Sequence, residues 1–136
     1  VTALEELYDY AFHPYRHLRT SVLEIGRNGS GRTIKEMFPV AKMLCVVKPE
    51  DAYHPAFVGA MGFFSVIIDA GRQTYDTQRE SIRLYAKHLS PQGVMVVEGI
   101  PSAGRLANLT LVARVAGFQE DSAFEMEDDT VTLVLK

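Results

Sequence analysis

Val22-Leu23-Glu24-Ile25-Gly26-Arg27-Asn28-Gly29-Ser30-Gly31 decides how the rest of the chain is read. Residues 21–25 are a short apolar run that the following glycines break, which reads as a buried strand bounded by a turn. Residues 32–38 suit a short helix that Pro39 stops. A strand, a glycine turn and a helix in that order let main chain approach a ligand with no Cβ in the way, beside the positive end of a helix. Glu24, two residues before the first glycine, is placed to receive an ammonium group. A nucleotide pyrophosphate calls for G-x-G-x-x-G, and glycines at 26, 29 and 31 do not make that spacing.

Upstream of this stretch, residues 2–12 carry Leu4, Leu7, Tyr8 and Ala11 at helical spacing, with acids early in the run and Pro14 beyond it. Downstream, residues 41–47 (AKMLCVV) read as a second buried strand and residues 63–69 (FFSVIID) as a third. Only residues 48–62 lie between them, room for one short crossover helix around 54–61. Residues 74–89 form the best helix: Ile82, Tyr85, Ala86 and Leu89 fall inward, while Arg79, Glu80, Arg83 and Lys87 point to water. Ser90-Pro91-Gln92-Gly93 is a turn, and residues 94–98 (VMVVE) are a fourth strand. Ser102 caps a helix running to residue 116, with Leu106, Leu109, Ala113 and Ala116 inward and Gly117 as its stop. Residues 118–126 and 130–135 are β-type runs joined through Glu127-Asp128-Asp129, which suits a hairpin.

Strands that alternate with helices and read as near-continuous apolar runs describe an α/β domain. The expected architecture is a Rossmann-like, mostly parallel sheet with helices on both faces and a C-terminal antiparallel hairpin. Right-handed crossovers then line up the strand ends, and any ligand, along one edge. No repeat or linker divides the sequence, so residues 1–136 are taken as a single domain.

At 47% hydrophobic and 23% charged residues, the chain has enough apolar side chains for a core, which excludes intrinsic disorder. Fourteen Lys and Arg against 17 Asp and Glu leave a net charge of -3, which argues against broad electrostatic binding of nucleic acid. Basic residues interleaved with aromatics, as in RNA-binding surfaces, are absent. No apolar run approaches the roughly 20 residues needed to span a bilayer, and no basic-then-apolar leader opens the chain. The single Cys45 excludes an internal disulfide and a cysteine-built zinc site. His13 and His17 are separated by Pro14, which keeps them off one continuous helix, so no metal pair is expected there. The expected setting is cytoplasmic, with the thiol reduced.

Two further stretches join the glycine turn. They are Leu89-Ser90-Pro91-Gln92-Gly93-Val94-Met95-Val96-Val97-Glu98, and Ala116-Gly117-Phe118 ahead of the closing hairpin. With them, residues 18–136 resemble a class I S-adenosylmethionine-dependent methyltransferase. The resemblance implies S-adenosylmethionine as cofactor and methyl transfer to an oxygen or nitrogen of a small-molecule acceptor. It implies that Glu24, Gly26, Asn28, Gly29 and Gly31 hold the methionine end of the cofactor. Glu50 or Asp51 would take its ribose, and Asp69 would serve as the catalytic residue that orients the substrate or its proton.

Ile67-Ile68-Asp69-Ala70-Gly71 and Val96-Val97-Glu98 look like the branch of macrocin-type sugar O-methyltransferases and cephalosporin-hydroxylase-like proteins. That branch typically carries D-D-G-S-H and then E-D, its acids holding a divalent metal and its histidine serving as base. Asp69, Gly71 and Glu98 match. Ala70 stands for the second Asp, Arg72 and Gln73 for Ser-His, and Gly99 for the last Asp. Two carboxylates are a thin set for a hard cation, and Gln73 cannot titrate, so no metal ligands are assigned.

The superfamily's third strand and its flanking helices do not fit into residues 48–62, so that strand is expected to be missing. Lys48 stands where an acid usually ends the second strand. The loss leaves the second strand at the sheet's edge, and an uncovered apolar edge calls for a homodimer or another partner. The same departures also describe a different class, a methyltransferase-like domain without turnover that works as an interaction or scaffolding module of a larger polyprotein or complex. A nicotinamide-dependent dehydrogenase is disfavoured by the glycine spacing and by the lack of an acid ending the second strand.

Overall fold

The computed structural model describes residues 2–26 and 32–136. Its strands are β1 (Ser21–Gly26), β2 (Met43–Val47), β3 (Phe64–Ala70), β4 (Leu89–Ile100), β5 (Asp121–Glu125) and β6 (Val131–Leu135). They form one sheet in the order β2-β1-β3-β4-β6-β5. The first four are parallel, and β5 and β6 close the sheet as an antiparallel hairpin. This is the expected Rossmann-like arrangement, and the chain passes from β2 to β3 with no strand between them.

Side chains alternate across the sheet, so each face buries its own set. Val22, Val66, Ile68, Val94, Val96 and Val134 pack under α1 (Ala3–Phe12) and the single turn of α2 (Ile34–Met37). Leu23, Ile25, Ile67, Met95, Val97 and Leu133 pack under the helices of the other face. Those are α3 (Pro49–Ala52), α4 (Pro55–Gly59), α5 (Tyr75–Tyr85) and α6 (Ala103–Ala116).

Thr2 caps α1 reciprocally with Glu5, an arrangement worth about 1 kcal/mol. The helix buries Leu7, Tyr8, Ala11 and Phe12, with the Phe12 ring centred 5.3 Å from that of Phe38 and tilted 53° to it. Asp9 takes Arg32 at 2.6 Å and Arg16 at 3.2 Å, and the Arg32 hydrogen bond holds its carboxyl below the usual range.

Four local expectations are corrected. The crossover holds two one-turn helices rather than one, because Pro49 and Pro55 each open a helix and His54, ahead of Pro55, is held extended. The long helix stops at Tyr85, continues as a 3-10 turn over Ala86–His88, and hands Leu89 directly to β4. Residues 90–93 form a bulge inside β4: pairing jumps from Leu89 opposite Phe64 to Val94 opposite Val66. Gln92 takes a left-handed φ of 62° within that bulge, and Pro91 has no N–H to offer the ladder.

The fourth correction concerns β2, which is not buried: Met43, Leu44 and Val46 are 45%, 36% and 61% exposed. It is the edge strand, and α2 is too short to cover its outer half. Among the described residues, no helix is long and apolar enough to cross a membrane.

Candidate functional site

Parallel pairing brings the carboxyl ends of β1 to β4 to one edge of the sheet. The chain crosses from β1 to β2 on one side and then from β2 back past β1 to β3 on the other, so the β1–β3 junction is the switch point where such sheets open a crevice. Glu24 and Gly26 end β1 there, and Asp69, Ala70 and Gly71 end and follow β3. Glu50 and Asp51 lie exposed in the first turn of α3, just past the end of β2. Asn28, Gly29 and Gly31 lie outside the described residues.

Glu24 is buried and points to the α1 face, in register with Ile68. Gly26 has φ 71°, and a Cβ there would stand 2.8 Å from Gly71 Cα and 3.0 Å from the Ala70 carbonyl oxygen. Its lack of a side chain is thus used first by the chain itself, to bring two strand ends into main-chain contact.

Asp69 points to the opposite face and is 2% exposed. Its Oδ1 accepts the Tyr53 hydroxyl at 3.0 Å and the Gly71 N–H at 3.0 Å, and Tyr53 Oη accepts the Arg72 N–H at 3.1 Å. Burial pushes the Asp69 carboxyl above its ordinary value, opposed by Ser81, the Gly71 N–H and Tyr53. The Ser81 hydroxyl and Asp69 Oδ2 are both buried without a formed hydrogen bond. Burial, then the Asp69 charge, raise the Tyr53 phenol far enough that it stays a donor. The arrangement ties α3, β3 and the turn into α5 together. Tyr53 and Ser81 carry no motif, and only the fold brings them to Asp69.

The end of β4 is built otherwise. Gln78, 1% exposed, donates to the Glu98 carbonyl at 2.9 Å. Arg105 donates to Gln78 Oε1 at 3.3 Å and to the Gln73 carbonyl at 3.0 Å. Gly99 has φ 74°, and the Gln73 carboxamide occupies the space a Cβ would need.

A divalent metal does not fit these residues. Asp69 is paired with Val97, so Glu98, the next residue along β4, projects from the opposite face of the sheet. The position that shares the Glu98 face is Ala70, which offers no ligand. Gln73 lies where the missing acid at Gly99 would stand. Among the described residues, no three His, Cys, Asp or Glu side chains gather as a metal site.

No protein-family model matches the sequence, and no curated protein matches it. Solved structures do. The chain is similar to the MycE methyltransferase of the mycinamycin biosynthetic pathway in complex with Mg and SAH (S-adenosylhomocysteine). The TM-score is 0.69 at 19% identity over 94% of this chain. It is similar to a ribosomal protein L11 methylase from Lactobacillus delbrueckii subsp. bulgaricus, with TM-score 0.70 and 16% identity over 98% of this chain and 78% of that one. A precorrin-6y C5,15-methyltransferase from Geobacter metallireducens GS-15 gives TM-score 0.68 and 12% identity over 96% of this chain and 87% of that one.

The fold is that of the methyltransferases. Within it, the chain spans 48% of the MycE chain. The methyltransferase fold accounts for the shared edge at which Glu24, Glu50, Asp51, Asp69 and Glu98 end or follow their strands.

Proposed function

We propose that this chain is an S-adenosylmethionine-dependent methyltransferase domain acting on an oxygen or nitrogen of a small-molecule acceptor. The observation that carries the reading is the position of Glu24 and Gly26 at the β1–β3 switch point of a methyltransferase fold, with Glu50 and Asp51 at the same edge. The donor set suits the cofactor: Glu24 for its ammonium group, with Gly26, Asn28, Gly29 and Gly31 offering main chain, and Glu50 or Asp51 for its ribose hydroxyls. Bound there, S-adenosylmethionine supplies a methyl group on a positively charged sulfur. The protein's part is alignment, since holding two reactants in line is worth several kcal/mol of a barrier, about 7 at the lower end. No metal enters this reading.

Asp69 serves the site as a positioning residue in this proposal. With Tyr53 and the Gly71 N–H it fixes the turn on which Gly26 rests. The exposed apolar residues of β2 support a partner along that edge, and a second copy of the chain is the simplest one. A cytoplasmic setting, with Cys45 reduced, belongs to the same reading.

Calorimetric titration with S-adenosylmethionine and S-adenosylhomocysteine tests it. Saturable binding is expected, and Glu24→Ala should weaken it about tenfold or more while the domain stays folded. No heat at millimolar ligand contradicts the proposal and leaves the interaction-module alternative. Sedimentation at high concentration tests the edge: a clean monomer removes the second copy.

A further inference from the structure

A cavity of about 290 Å³ opens where the end of β4 meets the start of α1 and the β5–β6 turn. Three carboxylate residues line it, Glu98, Glu127 and Asp128, and among the described residues no Lys, Arg or His does. Asp128 is held below the usual carboxylate range, chiefly by the Thr130 hydroxyl at 2.6 Å and then by the Thr130 N–H at 3.1 Å. Glu127 Oε1 takes the Ala3 N–H at 2.6 Å and Thr2 takes the Glu5 N–H, so the positive end of α1 is already satisfied where it meets the cavity.

A second observation is independent of the acids. Thr132 lines the same cavity, is 1% exposed, and its hydroxyl has no hydrogen-bond partner. It interrupts the apolar strand Val-Thr-Leu-Val-Leu of β6, where a valine would fill the same volume. Leaving a buried hydroxyl unmade costs about 1–3 kcal/mol. Part of the cost is recovered when a hydrogen-bond donor enters beside it.

We propose that this cavity binds the protonated amine of a small organic molecule, with Asp128, Glu127 and the Thr132 hydroxyl as its acceptors. An ammonium group offers three donors and no acceptor, which matches described lining residues rich in carboxylate and hydroxyl oxygen. As the acceptor of the methyl group, this amine rests on the methyltransferase reading above, and it narrows that reading from oxygen or nitrogen to nitrogen. An ammonium nitrogen must shed a proton before it can act as a nucleophile; that proton leaves to solvent, since Asp128, held below the usual carboxylate range, stabilises the charged amine.

The test uses 1,4-diaminobutane and its uncharged counterpart 1,4-butanediol, titrated into the protein without cofactor while the threonine methyl signals are followed by NMR. The diamine should shift the Thr130 and Thr132 methyls, and the diol at equal concentration should not. Asp128→Asn should weaken the diamine about tenfold with folding unchanged. Thr132→Val should weaken it by a similar factor without loss of stability, because the hydroxyl it removes is unpartnered in the free protein. Equal shifts from diol and diamine, shifts from neither, or affinities that ignore both substitutions overturn the site. A parallel titration with S-adenosylhomocysteine separates the two proposals: diamine binding without it upholds the amine site and removes its role as methyl acceptor.

Discussion

At the β1–β3 half of the carboxyl edge main chain meets main chain, with Gly26 on Gly71, whereas at the β4 half a flexible side chain, Gln73, lies over Gly99 beside an open cavity. Both glycines hold φ above 70°, so backbone strain is the same at each and only the obstacle differs. The first half locks the strand ends together. In the second half the Gln73 carboxamide fills the space that a side chain at Gly99 would need. The lesson is that one edge of one sheet is closed by rigid main chain at one end and by a movable side chain at the other.

Substitution of the two glycines breaks or sharpens this contrast most strongly. Gly26→Ala should cost about 3–4 kcal/mol in urea denaturation, strain plus a main-chain overlap that cannot relax. Gly99→Ala should cost about 1–2 kcal/mol, since the Gln73 carboxamide can swing aside. Equal losses would erase the distinction.

Tyr53→Phe should cost about 1–3 kcal/mol, because it strips a hydroxyl donor from a buried carboxylate; a loss under half of the lower value would detach Tyr53 from the site's support.

The raised Asp69 pKa gives a signed pH dependence. The folded chain keeps this proton to higher pH than the unfolded chain, so its contribution is full below the unfolded value near 4. It declines as pH rises through the folded value and is flat beyond. Asp69→Asn should remove that decline from the stability–pH curve, and a curve unchanged by the substitution would contradict the assignment.

Thr132→Val gives the smallest effect, neutral to a gain of about 1 kcal/mol in the unliganded protein. A clear loss would mean that the hydroxyl has a structural partner.

Much of this architecture was legible because it is encoded locally. Ser102 caps a helix that Gly117 ends, and apolar runs at 21–25 and 94–98 sit on either side of β3 in the sheet. The shortness of residues 48–62 was enough to remove a strand. What escaped depends on partners far apart in sequence. Tyr53 reaches Asp69 across 16 residues and Gln78 reaches the Glu98 carbonyl across 20, and neither pair has a spacing that a period or motif would reveal. The bulge at residues 90–93 looked like a turn because Pro and Gly signal both, and pairing with β3 decides between them. The cavity beside β4 was invisible for the same reason: Glu98, Gln73 and Thr132 meet only once β6 lies antiparallel to β4.

Backbone amide NMR of the whole chain during titration with S-adenosylhomocysteine tests the central claim most directly. The account predicts saturable shifts concentrated at Gly26, at Glu50 and Asp51, and at Gly71, with the amino ends of the same strands unmoved. Shifts that never saturate, or that gather at the opposite edge around Tyr15 and Phe118, would contradict it.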